Sequence, residues 1–145
     1  MTVGHALATA ATFLWLGMVL AISFIEAPLK FRAPGITIPL GLGIGRLVFR
    51  ALNAVEVVWS IVLVVVVLLG DGWTRGAVIA GGVAIAALAC QLIAVRPALT
   101  RRSDAALAAP DEISETRSRA HLWYVGLEAI KVVALVVAGA SLLSA

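Results

Sequence analysis

The chain has 145 residues, of which 62% are apolar and 13% charged, with a net charge of +3. Soluble domains are about 45–50% apolar and about 25% charged, so this composition excludes an ordinary soluble globule and points to lipid as the solvent. A single cysteine excludes an intrachain disulfide framework or a thiolate metal site, and basic residues that flank apolar runs, without a solvated basic face, speak against nucleic acid as a partner.

Crossing about 30 Å of hydrocarbon takes roughly 20 helical residues. Four apolar runs have that length, at about 5–28, 46–70, 76–96 and 119–143, with a polar connection over 97–118. Backbone groups in lipid must be satisfied within the segment, and the period-2 alternation of a barrel strand is absent, so the runs read as helices. The expected fold is all-α: an integral membrane four-helix bundle forming one transmembrane domain, 1–145.

The first run has no basic region ahead of it and no small-residue cleavage site after it, so it is expected to be retained. It should end at Pro28, ahead of Lys30 and Arg32, because proline disfavours helix at the residue before it. Residues 29–45 then form a Pro/Gly-rich connection containing Pro34-Gly35, Pro39, Gly41, Gly43 and Gly45. Ile36, Ile38, Leu40 and Leu42 suit a segment lying at the membrane interface. The second run opens at Arg46 and closes at Gly70-Asp71-Gly72, a turn short enough to make helices two and three antiparallel neighbours.

The third run is rich in small residues, including Gly76, Gly81 and Gly82, which suits close helix approach or a homo-oligomer contact. Cys90 within it reads as a packing residue, and Arg96-Pro97 should stop it. Pro110 followed by Asp111, Glu112 and Glu115 has the pattern of a helix start, and Glu115 can pair with Arg119 one turn on. Lys30, Arg32, Arg46, Arg50, Arg96, Arg101, Arg102, Arg117 and Arg119 flank one side of the spans, and Arg75 alone the other. The positive-inside rule then places both termini outside a cytoplasmic (inner) membrane.

Residues at i, i+3, i+4 and i+7 share a helix face. Such polar stripes occur in the first run (His5, Thr9, Thr12, Ser23, Glu26), the second (Arg46, Arg50, Asn53, Glu56, Ser60) and the fourth (His121, Tyr124, Glu128, Lys131), while the third offers Gln91. Burying these faces against each other satisfies them. Depth counting pairs Glu56 with Lys131 near mid-span, with Glu128 competing for the ammonium. It also groups Glu26, Arg46 or Arg50, Gln91, His121 and Tyr124 in a second layer nearer the basic side. The cluster is either a self-neutralising structural network or a ligand and proton site. A protein-ligated metal is not expected: carboxylate di-metal bundles need two Glu-x-x-His motifs, which are absent.

Gly41, Gly43 and Gly45 leading into Arg46 and Arg50 have the makings of an anion or lipid-headgroup cradle, with free backbone N–H groups beside two guanidinium groups. The alternative is that these glycines pack the connection against the fourth helix.

Trp15-Leu16-Gly17, Ala27-Pro28 with Phe31, and Gly45 with Phe49 resemble an uncharacterised four-helix bacterial membrane family over about the first 65 residues. A looser likeness joins the chain to copper-resistance-D-like proteins and the small protoporphyrinogen oxidase of the haem pathway. That likeness implies the four-helix fold, and haem as a cofactor with His5 or His121 as axial ligand. Three functions follow as expectations. One is binding or translocation of a small ligand, ion or anionic lipid headgroup, coupled to protons. The second is a haem-binding membrane oxidoreductase. The third is an accessory subunit packed on a membrane-complex partner.

Overall fold

The computed structural model describes residues 1–108 and 119–145, which are helical apart from short turns. Its four long helices are α1 (Val3–Arg32), α2 (Ile38–Leu69), α3 (Arg75–Ala105) and α4 (Arg119–Leu143), and each contains a stretch long and apolar enough to cross a membrane. This matches a multi-pass membrane protein. The expected helix start at Pro110–Glu115 and the Glu115–Arg119 pair lie outside the described residues.

Threonines set three of the helix starts. Thr2, Thr37 and Thr74 are extended and accept from the N–H groups of His5, Leu40 and Ala77, so each satisfies a donor that the first turn leaves open. Pro39 sits in the first turn of α2, where a missing N–H costs nothing. Consequently α2 begins at Ile38 and not at Arg46, and residues 38–45 are helix. The connection from α1 contracts to 33–37.

Two prolines fail to stop their helices. α1 runs past Pro28 to Arg32, and α3 past Pro97, where helical conformation continues to Ala108. In both, a π-helical segment lies immediately upstream, Leu20–Glu26 and Gln91–Val95. Each ends with a bond spanning five residues, from the Ala27 N–H to the Ile22 carbonyl and from the Arg96 N–H to the Gln91 carbonyl. In a regular helix, proline clashes with the carbonyl four residues back and leaves it without a donor. The wider π turn shifts that carbonyl and lets the helix continue.

α4 lies against α3 and α1, and α2 against α1 and α3. α3 reaches α4 closely because Ala77, Ala80, Ala84 and Ala87 form its buried stripe; Gly82 is exposed, so alanines supply the close face. Cys90 is exposed and is not a core packing residue. Gly41 and Gly45 pack against the end of α1 and not against α4. A side chain at 41 would run into the Phe31 ring, and one at 45 would come within 2.8 Å of the Lys30 ammonium.

The outward faces carry the large apolar residues: Leu47, Ile61, Leu68, Ile79, Ile93 and Val133 are all exposed. The inside holds Asn53, Glu56, Gln91, Glu128 and Lys131, all at least nine-tenths buried. Apolar outside and charged inside inverts the soluble pattern and suits lipid as the surrounding phase.

Candidate functional site

At mid-bundle one ammonium faces two carboxylates. Lys131 Nζ lies 2.5 Å from Glu56 Oε1 and 2.5 Å from Glu128 Oε1, and it donates to Gln91 Oε1 at 2.7 Å. An ammonium has three donors, and all three are engaged. Glu128 is one turn before Lys131 on α4, so these two meet by helix periodicity. Glu56 arrives from α2 and Gln91 from α3. Gln91 also donates through Nε2 to Glu128 Oε1 at 2.8 Å and to the Tyr124 carbonyl at 3.4 Å. From α1, Trp15 Nε1 donates to Glu56 Oε1 at 2.9 Å. All four helices therefore meet at one polar knot. A buried pair that loses one partner costs about 3–5 kcal/mol, so the knot fixes the helices' relative heights whatever else it does.

A second layer sits one turn nearer the basic end. With its amide turned so that both ends are satisfied, Asn53 has its nitrogen 3.1 Å from Glu56 Oε2 and 3.3 Å from the Phe49 carbonyl, and its oxygen accepts from Arg96 at 2.5 Å. The Tyr124 hydroxyl lies 3.5 Å from the same amide, and Arg96 also donates to the Phe49 carbonyl at 2.9 Å. The Tyr124 ring meets Phe49 edge-on, with centroids 5.6 Å apart.

Beyond this layer the helices part around a cavity of about 470 Å³. Its walls are largely apolar (Phe24, Phe31, Leu42, Phe49, Leu99, Val125), and Lys30, Arg46, Arg96 and His121 also line it. Glu128 lines it too, and its Oε2 is a buried atom with no hydrogen-bond partner. Ser23 Oγ, in the π segment of α1, is a second such atom on the same cavity. Two residues that line one cavity thus each carry a buried polar atom without a partner, where buried polar groups are as a rule paired.

The residues expected from the sequence divide into two sets. Asn53, Glu56, Tyr124, Glu128 and Lys131 come together, and Arg46 and His121 line the cavity. Three do not take their expected places. Glu26 pairs with Lys30 on its own helix, at 3.6 Å. Arg50 is exposed, and Arg96 occupies the place expected for it beside Tyr124 and Asn53. Gln91 belongs to the mid-bundle knot and not to the second layer.

Gly41, Gly43 and Gly45 are helical, and the Gly41 N–H bonds to the Thr37 carbonyl at 2.9 Å. A cradle of free loop N–H groups is therefore not formed. Arg46 instead pairs with Asp104 of α3 across the cavity mouth. His5 is at the opposite end of the bundle from His121, its ring stacked on Trp73 with centroids 4.5 Å apart and its Nδ1 3.0 Å from Thr2 Oγ1. One haem cannot be held by both histidines. Among the described residues no group of three His, Cys, Asp or Glu side chains has metal-site geometry.

Trp15 and Arg96 were not legible as site residues. The indole stands in sequence only as part of Trp15-Leu16-Gly17, with no polar stripe through it, and Arg96 looks like the stop before Pro97. The proline, read as a π-turn marker within a helix, is the signal that would have kept Arg96 inside. No family model, curated protein or solved structure matches this chain.

Proposed function

We propose that this chain binds a small amphipathic molecule bearing an anionic group, in the cavity at the basic end of the bundle. What carries this is the cavity itself: about 470 Å³ with mainly apolar walls and with Lys30, Arg46 and Arg96 on its lining. Ligand sites are concave and mostly apolar, with a few placed polar groups, and volumes of about 300–1,000 Å³ are typical. With the Lys/Arg-rich end in the cytoplasm, as the charge asymmetry implies, the cavity is reached from the inner leaflet or the cytosol. A lipid phosphate or a free amphiphilic acid presents the same chemistry to it. Binding is favoured over conduction, because past the knot the core closes on Ala8, Ala11, Leu63, Ala84 and Leu135.

The test uses purified protein in a neutral maltoside detergent, titrated with dodecyl phosphate or with dodecyltrimethylammonium, and read by thermal unfolding. Dodecyl phosphate should raise the midpoint and the cationic amphiphile should not. Leu99→Trp, which fills the cavity without touching a charge, should remove the increment. An equal response to both amphiphiles, or an increment unchanged in Leu99→Trp, refutes the proposal.

A further inference from the structure

Three Lys or Arg side chains line the cavity, and two of them have their hydrogen-bond partners within the protein. Arg46 is paired with Asp104, and Arg96 donates to the Phe49 carbonyl and to the Asn53 amide oxygen. Lys30 differs. Its side chain is nine-tenths buried, yet its Nζ donates no hydrogen bond among the described residues. Its ion pair is with Glu26, one turn back on α1, and the atoms are 3.6 Å apart, beyond hydrogen-bond length. Glu26 Oε2 is correspondingly a buried atom without a hydrogen-bond partner. An ammonium has three donors, and burying them without acceptors is costly.

The neighbours of that ammonium fix where it stands. It is 5.7 Å from the centre of the Phe31 ring on α1 and 5.6 Å from that of Phe49 on α2. A Cβ at Gly45 would lie 2.8 Å from it. Lys30, Phe31, Gly45 and Phe49 all line the same cavity, so the ammonium stands on the wall that α1 and α2 share. Ring faces attract a cation but offer its N–H groups no oxygen. A lysine near a helix end ordinarily carries its charge out to water, and Arg32, two residues on, is exposed. Lys30 turns inward instead, into space that Gly45 keeps open.

We infer that Lys30 is the residue that receives the anionic group of the ligand, and that Gly45 provides the clearance its ammonium needs to do so. A phosphate or carboxylate oxygen at that point accepts the donors that the protein leaves unused. Lysine suits the task as a compact point charge with three rotatable donors. The apolar part of the ligand then lies along Phe24, Leu42, Leu99 and Val125. Arg46 and Arg96 join helices to one another and do not anchor the head. The substrate class is an amphiphile with one anionic head, either a lipid phosphate or a free amphiphilic acid. The inference rests on the cavity of the proposed function, but it requires only that an anion reach Lys30, not that an alkyl chain fills the space.

The chain has two lysines, Lys30 and Lys131, and Lys131 is fully buried with its three donors engaged. Amine labelling therefore reads Lys30 directly. The full chain in neutral maltoside detergent is methylated with formaldehyde and cyanoborohydride, and the products are mapped by peptide mass. Lys30 should be methylated in ligand-free protein. Dodecyl phosphate should slow that methylation several-fold, and dodecyltrimethylammonium should not. Laurate and lysophosphatidylglycerol, run in parallel, tell a free acid from a lipid phosphate, and protection by either supports the assignment. In thermal unfolding, Lys30→Gln should lose the increment given by dodecyl phosphate, and Arg46→Gln should keep it. No methylation of Lys30 without ligand, equal protection by the cationic amphiphile, or an increment that survives Lys30→Gln overturns the inference. The two proposals fail separately. Protection of Lys30 with an increment unchanged in Leu99→Trp removes only the cavity as the ligand site. An increment lost in Leu99→Trp but kept in Lys30→Gln removes only the anchor, and absence of both protection and increment removes both.

Discussion

The two ends of the bundle are built from the same four helices and do opposite things. Toward Asp71 the helices close on alanines, Leu63, Leu135 and Leu142. The crevice of about 200 Å³ at that end is lined by no charged side chain. Toward Lys30 and Arg46 the helices part around a larger cavity with charged groups on its lining. Both π-helical segments lie on the open side, one contributing Ser23 and the other beginning at Gln91. The difference shows how a small bundle can be rigid and hollow at once. Small side chains seal one half, while proline-associated π turns let α1 and α3 continue past the knot with altered register in the other. The knot of Lys131 is the boundary between the halves.

The sharpest way to break this arrangement is at the boundary. Lys131→Met leaves two buried carboxylates facing each other and removes three hydrogen bonds. It should destabilise the fold by about 3–5 kcal/mol, measured by denaturant unfolding in detergent. Adding Glu128→Gln in that background should recover part of the loss, since one fewer charge is then stranded. No loss in the single variant would mean that the ammonium does not hold the halves together.

A smaller effect is expected on the sealed side of the knot. Trp15→Phe keeps an aromatic ring in a fully buried position but removes the indole donor to Glu56. The lost bond to a charged acceptor is worth about 1.5–3 kcal/mol, and the same unfolding measurement reads it. At the mouth of the open half the effect should be least. Arg46 and Asp104 form a pair with both side chains partly exposed, of a kind that contributes about 0–1 kcal/mol. Arg46→Ala should therefore leave unfolding almost unchanged, and a loss as large as that of Trp15→Phe would mean that this pair is structural.

Much of the fold was legible in the sequence because lipid imposes a simple rule. Helices must be long and apolar, and the few ionisable residues within them must find one another. Glu56 and Lys131 could be paired by depth alone, and Glu128 placed beside them by helix periodicity. The helix limits were less legible. Pro28, Pro97 and the glycines of 41–45 are residues that usually end or interrupt helices, and local propensity gives no warning of a π turn that absorbs a proline. That miss carried others with it. Extending α3 past Pro97 brings Arg96 into the second layer and Asp104 to Arg46, and starting α2 at Ile38 dissolves the loop that was to cradle an anion.

The sequence by itself therefore determined the number of spans, their apolar exterior and the presence of a charged interior, because these depend on composition and on 3.6-residue periodicity. Only the tertiary structure decided that Trp15 donates to Glu56 from another helix while Glu128, beside it, keeps one buried oxygen without a partner. Which of two like charges is satisfied depends on donors brought by other helices at a given height and rotation. No spacing along one helix contains that information.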